Sequence, residues 1–180
     1  MPNPVVVNVV ATSELGQIVE LSEVALIKHS IFDQEIYGGR VAYLKKPTMK
    51  GKVTIFPSGK LISVGTHSID EAEADLQEAA DTLQASGLIS KVKLKAKLRN
   101  LVAVINTKPV SLEDFAFETR AIYEPEQFPA AILKTGTPER TFLVFNSGKI
   151  VLPGIKSMDD LDQAVKQITS ILEEVEKLYR

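Results

Sequence analysis

Cysteine and tryptophan are absent from the chain, and histidine occurs only twice. Without cysteine there are no disulfides, no thiolate nucleophiles and no sulfur-held zinc or iron–sulfur sites. His29 and His67 share no ligand spacing, so a His-only metal cage or a Ser–His–Asp triad lacks its parts. They read as surface or capping residues. No apolar run approaches the roughly 18 residues that a membrane-spanning helix needs. Met1-Pro2-Asn3-Pro4 has neither a basic nor an apolar leader region, so no secretory signal is expected. Charge of one sign is also lacking: 21 Lys+Arg stand against 23 Asp+Glu, a formal net charge of -2. Taken alone, that balance argues against a nucleic-acid binder. With 44% hydrophobic residues in 180, the chain can build one sizeable core or two small ones. The expected class is a soluble, intracellular globular protein.

The chain does contain an internal repeat. Ile55-Phe56-Pro57-Ser58-Gly59-Lys60-Leu61-Ile62 returns as Val144-Phe145-Asn146-Ser147-Gly148-Lys149-Ile150-Val151. Gly65 and Gly154 follow the two copies at the same distance. Upstream, Val7-Asn8-Val9-Val10-Ala11 is echoed by Arg99-Asn100-Leu101-Val102-Ala103. Ile36-Tyr37 matches Gln127-Phe128, and Pro47 matches Pro138. The offset falls from 92 at the Asn pair to 89 at the Phe pair, a drift that loops absorb. Residues 1–90 and 91–180 therefore read as a duplicated domain, with units too long for solenoid repeats.

Each unit predicts the same elements. Val5 to Thr12 suits a strand, and Ser22 to Ser30 a short helix capped by Ser22. Arg40 to Lys46 alternates, with Val41, Tyr43 and the Lys45 stem on one face and Ala42 and Leu44 on the other. Lys52–Phe56 and Lys60–Val64 are strands joined by Pro57-Ser58-Gly59. Ser68-Ile69-Asp70-Glu71 is a capping box opening a helix to about Ser86, with Gly87 as its stop. The second unit predicts strands at 93–105, 130–134, 141–145 and 149–152. Its helices are expected at 111–119 and from Ser157 onward. No βαβ alternation occurs, so each unit is α+β, an antiparallel sheet with a helix over one face.

Two features carry chemical information. Phe56 and Phe145 end a strand beside a glycine turn, where a ring can either join the core or project beyond the sheet. Asn8 and Asn100 interrupt apolar strands, where Asn is disfavoured. Each either bonds local backbone at a bulge or faces a ligand. The acidic pairs Asp33/Glu35 and Glu124/Glu126 lack any accompanying base or phosphate loop and read as solvated loops rather than a catalytic pair. Gly38-Gly39 lacks the G-x-G-x-x-G or G-K-[ST] context of a phosphate loop. Lys91, Lys93, Lys95, Lys97 and Arg99 alternate, which on a strand makes either a solvated edge or a phosphate-facing rim. No metal site or cofactor is indicated.

These residues resemble the TATA-box-binding protein family in its archaeal, two-repeat form. The resemblance spans nearly the whole chain. Tyr123-Glu124-Pro125-Glu126-Gln127-Phe128-Pro129 and Phe145-Asn146-Ser147-Gly148-Lys149-Ile150-Val151 carry it most specifically. Ile55 to Lys60 and the Asn8/Asn100 pair add to it, with the first repeat more diverged. The resemblance implies a saddle: one curved antiparallel sheet from two pseudo-symmetric repeats, with helices on the convex face. The concave face would lie in the minor groove of double-stranded DNA. Minor-groove proteins read A·T acceptors with amide donors and wedge apolar side chains into base steps, a mode of which this family is itself the standing example.

By this resemblance the four wedges are Tyr37, Phe56, Phe128 and Phe145. The central donors are Asn8 and Asn100, flanked by Val10 and Val102. Thr54, Ile62, Leu143 and Val151 complete the apolar face, and Ser58, Lys60, Ser147 and Lys149 contact the DNA backbone. Glu124 and Glu126 match the loop that meets transcription factor B. The implied role is a non-enzymatic general initiation factor. It would bind and bend A·T-rich promoter DNA and recruit transcription factor B and RNA polymerase. It would be a monomer on DNA, with dimerisation open to the free chain. It would be cytoplasmic if archaeal and nuclear if eukaryotic, with no membrane role. Tyr37 stands where the family has Phe, Val64 and Pro153 where it often has Thr, and Tyr43 and Lys134 where arginines are common. These departures suggest a diverged paralogue, and with it an alternative: a regulator that holds transcription factors but grips DNA weakly. A nucleic-acid enzyme or accessory domain on a related scaffold is a third reading, without a catalytic constellation behind it. Finally, residues 1–90 carry 7 basic and 11 acidic groups, and residues 91–180 carry 14 and 12. The second repeat is therefore expected to grip DNA more firmly.

Overall fold

The computed structural model describes residues 2–35 and 37–179, apart from the side chain of Tyr37. The described strands are β1 (Val5–Glu14), β2 (Ser30–Ile31), β3 (Ala42–Leu44), β4 (Lys52–Ile55), β5 (Lys60–Thr66), β6 (Lys97–Asn106), β7 (Ala130–Thr135), β8 (Arg140–Phe145) and β9 (Lys149–Ile155). The helices are α1 (Leu21–Val24), α2 (Ile69–Ala85), α3 (Leu112–Thr119) and α4 (Met158–Leu178). The chain forms two compact units, Asn8–Arg99 (the first) and Asn100–Arg180 with Met1–Val7 (the second).

Within the first unit the strands lie in the order β2-β3-β4-β5-β1, every neighbour antiparallel. Within the second the order is β6-β9-β8-β7, again antiparallel. Side chains alternate between the two faces of a strand, so register decides what each face holds. On one face of the first unit Ala42 pairs Ile55, Ile55 pairs Leu61, Leu44 pairs Val53, and all five are buried. Helix α2 packs over β4 and β5 and buries Ala72, Leu76, Ala79, Ala80 and Leu83. In the second unit α4 packs on β9 and α3 on β7, with Leu161, Ala164, Val165, Ile168, Leu112 and Phe115 buried. Both cores thus sit between the sheet and its helices, and among the described residues the opposite sheet face carries no helix of its own unit.

The two long helices start by the same device. The Ser68 hydroxyl accepts the Glu71 N–H at 3.1 Å, and Glu71 reaches back to the His67 N–H at 2.8 Å. The Ser157 hydroxyl accepts the Asp160 N–H at 3.1 Å, and Asp160 accepts the Lys156 N–H at 3.0 Å. Each pair satisfies orphan donors at a helix start. Asp75, although only 3% exposed, is also employed: its carboxylate accepts the Lys50 N–H at 3.0 Å and the Gly51 N–H at 2.6 Å.

Four local expectations change. The first short helix covers only Leu21–Val24, and its cap is Glu20 rather than Ser22; the Glu20 side chain accepts from Ser22 N. Pro153 does not end its strand, because β9 continues to Ile155 through a register shift opposite Leu101–Ala103, where no ladder donor is required. Strand β6 begins at Lys97, not Lys93. Ahead of it, the polar backbone groups are taken by side chains: Gln77 holds Val92 O and Leu94 N, Ser13 holds Lys95 O, and Glu73 holds Ala96 N. Lys91, Lys93, Lys95, Lys97 and Arg99 nonetheless all remain exposed. Ser30–Ile31, unpredicted as a strand, pairs antiparallel with β3.

Candidate nucleic-acid interface

The uncovered faces are defined by two transverse rows. In the first unit Tyr43 pairs Thr54, Thr54 pairs Ile62, and Ile62 pairs Thr12. In the second, Ile132 pairs Leu143, Leu143 pairs Val151, and Val151 pairs Val104. Directly paired residues share a face. Seven of these eight are half-buried, as expected of a face open to a ligand; Thr12 is buried and accepts the Arg99 Nε–H at 2.8 Å. Thr54, Ile62, Leu143 and Val151 were expected on this face. Tyr43, Thr12, Ile132 and Val104 join them, and strand alternation alone would have located all four.

In the first unit the open face hollows into a shallow cavity of about 670 Å³. Gly38, Arg40, Val41, Tyr43, Thr54, Phe56, Ile62 and Val64 line it. Phe56 is half-buried and belongs to this wall rather than to the helix-covered core. The Lys52 ammonium sits 4.3 Å from the centroid of the Tyr43 ring, a cation–π contact at the margin of the same face. The Tyr37 side chain, expected as a wedge, lies outside the described part of the structure.

In the second unit Phe145 ends β8, and Phe128 reaches it from the preceding loop. Glu124 O accepts both the Gln127 and the Phe128 N–H at 2.9 Å, a turn that presents the Phe128 ring. The two rings meet edge to face with centroids 6.1 Å apart. Phe128 is 38% exposed, so its ring is accessible from solvent. Glu124 and Glu126 are exposed on this turn.

The repeated turns are built alike. The Ser58 hydroxyl accepts the Lys60 N–H and the Ser147 hydroxyl the Lys149 N–H, each at 3.4 Å. Gly59 and Gly148 both have positive φ, at 85° and 84°. A Cβ on Gly59 would overlap the Gln17 carbonyl, and one on Gly148 the Lys108 carbonyl. The turn carbonyls accept from the incoming loop as well: Leu15 N–H to Gly59 O at 2.9 Å, and Thr107 N–H to Gly148 O at 2.8 Å. The Phe-x-Ser-Gly-Lys repeat is therefore partly structural, with Gly docking the turn while Phe and Lys stay accessible. Ser58, Ser147 and Lys149 are exposed and Lys60 is half-buried.

The Asn pair shows a difference between units. Asn8, Val10, Asn100 and Val102 are all half-buried. Asn8 Oδ1 accepts the Gly65 N–H at 3.0 Å. Asn100 Oδ1 is buried and has no hydrogen-bond partner among the described residues. No cluster of three or more His, Cys, Asp or Glu able to hold a metal occurs among the described residues. No described helix is long and apolar enough to cross a membrane.

Two α+β units, each with one helix-covered and one open sheet face, and each with a phenylalanine at its hairpin turn, define a duplicated sheet protein. Comparison with known proteins gives the family. The family model described as transcription factor TFIID (or TATA-binding protein, TBP) matches residues 3–86 and 95–175. The chain belongs to the TATA-binding protein family. It is 41% identical over 160 residues to the TATA-box-binding protein of Cenarchaeum symbiosum, covering 88% of this chain and 87% of that one. It is 34% identical over 181 residues to the TATA-box-binding protein of Methanocaldococcus jannaschii, covering 98% and 97%. The solved structure of Methanococcus jannaschii TBP superposes with a TM-score of 0.88 at 31% identity, covering 96% of this chain and 99% of that chain.

Proposed function

We propose that the protein is a general transcription initiation factor that binds and bends A·T-rich promoter DNA through the minor groove. The observation that carries this reading is the pair of open sheet faces, each with an Asn and a half-buried row, Tyr43, Thr54 and Ile62 in the first unit and the wholly apolar Ile132, Leu143, Val151 and Val104 in the second. The A·T minor-groove edge offers acceptors only, which suits an amide donor set among apolar side chains. Phe128 and Phe145, and Phe56 in the first unit, serve as wedges that unstack base steps, with Tyr37 as their fourth member. Lys60 and Lys149, with Ser58 and Ser147, hold phosphates. A net charge of -2 is no obstacle, because such a reader needs cations at its rim rather than in total.

Glu124 and Glu126, exposed beside the Phe128 turn, are the contact for transcription factor B, through which RNA polymerase is recruited. A second reading, a regulator that holds these partners but grips DNA weakly, draws on Val64 and Pro153, whose side chains offer no hydrogen bond.

Binding to a TATA duplex, titrated at two salt concentrations, tests the proposal. The parent chain should bind selectively and lose affinity as salt rises. The double variant F128A/F145A should melt at a lower temperature than the parent but still fold cooperatively, and lose TATA binding. Parent-like affinity in the double variant defeats the wedge assignment. Salt-insensitive, unselective binding by the parent favours the regulator.

A further inference from the structure

We infer that Asn8 rejects an amino group in the minor groove whereas Asn100 tolerates one, so that the two units read their base pairs with unequal strictness. This rests on the minor-groove reading above. Strand β1 shifts register against β5 between Val9 and Val10, and Gly65, at φ 95°, is left without a register partner. Such a bulge releases a backbone group from the ladder. Asn8 Oδ1 takes up the released Gly65 N–H at 3.0 Å. With its oxygen committed, the carboxamide can turn only its –NH2 toward a ligand. Asn8 is then a donor and nothing else.

An A·T pair presents adenine N3 and thymine O2, both acceptors, while G·C adds the guanine N2 amino donor. A locked donor meets that amino group donor to donor. Turning the amide over would break the bond to Gly65 and leave its N–H unpaired, so Asn8 cannot adapt cheaply.

Strand β6 has the equivalent shift against β9, between Leu101 and Ala103, and Gly154 has φ 78°. There the resemblance ends, because Asn100 Oδ1 has no partner among the described residues. Among the described residues, a half-turn of this amide breaks no hydrogen bond held by Oδ1; it exchanges that buried oxygen for the –NH2 and offers the oxygen to an amino group. Val10 and Val64, directly paired beside Asn8, have no side-chain polar group to compensate, and neither have Val102 and Pro153, which fall in the corresponding shift of β6 against β9. The two carboxamides therefore set the response.

The test is a set of TATA duplexes in which single adenines are replaced by diaminopurine, which keeps the pairing with thymine and adds a minor-groove amino group. Scanned along the site, the parent chain should show a penalty of about tenfold or more in one half and under about threefold in the other. Asn8→Ala should remove the strong penalty and Asn100→Ala should leave it. Equal penalties in both halves, or loss of the strong penalty in Asn100→Ala, overturn the inference. Side-chain amide relaxation by NMR of the free protein reads the same asymmetry without DNA, should Asn8→Ala not fold. Asn8 should be rigid and Asn100 mobile, and equal rigidity overturns the inference. If the unmodified TATA duplex is not bound at all, the minor-groove reading fails first and takes the inference with it.

Discussion

The Phe128 ring meets the Phe145 ring edge to face, 6.1 Å between centroids and 65° between planes. Phe145 is anchored by its register with Ala130, and Phe128 by the Glu124 turn. Each ring restricts the other before any ligand arrives. In the proposed role as wedges, rings already held in place would lose less entropy on entering a base step. In a double-mutant cycle on unfolding free energy, F128A and F145A should couple by about 0.5–1.5 kcal/mol. Chemical denaturation of the four proteins measures this. Additive effects would mean that the rings touch without supporting each other.

Gly59 and Gly148 combine positive φ with a carbonyl where a Cβ would stand. Gly87 also has positive φ, 76°, but nothing lies within 4 Å of its Cβ position. The left-handed conformation alone costs an L-residue about 1–2 kcal/mol. Gly87→Ala should therefore cost about 1 kcal/mol, and G59A or G148A clearly more, because backbone must also move. Thermal melts of the three variants should rank in that order. A G59A protein as stable as G87A would show that the turn does not need its tight docking on the Gln17 backbone.

Much of this architecture is legible in the sequence because its signals are local. The Phe-x-Ser-Gly-Lys repeat marks two hairpins, and Ser68–Glu71 and Ser157–Asp160 mark two helix starts at which the same reciprocal bonds form. Strand alternation at Ala42, Tyr43 and Leu44 separates the covered face from the open one. What escapes is non-local. The delay of β6 to Lys97 depends on Glu73 and Gln77, some twenty residues earlier in the chain, capturing backbone that would otherwise need a strand partner. The helix cap at Glu20, rather than the better capping type Ser22, is a choice the chain settles through tertiary packing of Leu21 and Val24. Asn8 and Asn100 look equivalent in the sequence, and only the Gly65 N–H separates them.

Glu78 couples stability to acid. Its carboxyl is held below the usual carboxylate range, first by the Thr48 hydroxyl and then by Lys46, whose ammonium is 3.0 Å away. A lowered folded-state value means that the contribution is complete above the unfolded-state value. It disappears as pH falls through the lowered folded value. The parent should therefore melt above Glu78→Gln at neutral pH, and the gap should close in acid. Melting curves from neutral pH down through the carboxylate range give the comparison. A gap independent of pH would assign the effect to packing. The gap should be small, since both side chains remain partly solvated.

Lys149 is exposed at the second turn, held one residue past Gly148 with its backbone N–H on the Ser147 hydroxyl. No described partner takes its ammonium, so that charge is free to meet a phosphate. Each phosphate neutralised on duplex DNA contributes about 0.9 to the slope of log K against log salt. Lys149→Ala should reduce that slope by about 0.9 and weaken TATA and non-TATA duplexes alike, since phosphate contacts carry no sequence information. F145A should do the reverse, lowering TATA affinity while leaving the slope nearly intact, because a wedge displaces no counterion. Binding isotherms over a salt series on both duplexes separate the two. If Lys149→Ala leaves the slope unchanged, this lysine does not face the phosphate backbone, and the rim of the second unit must be sought at the exposed Lys134 instead.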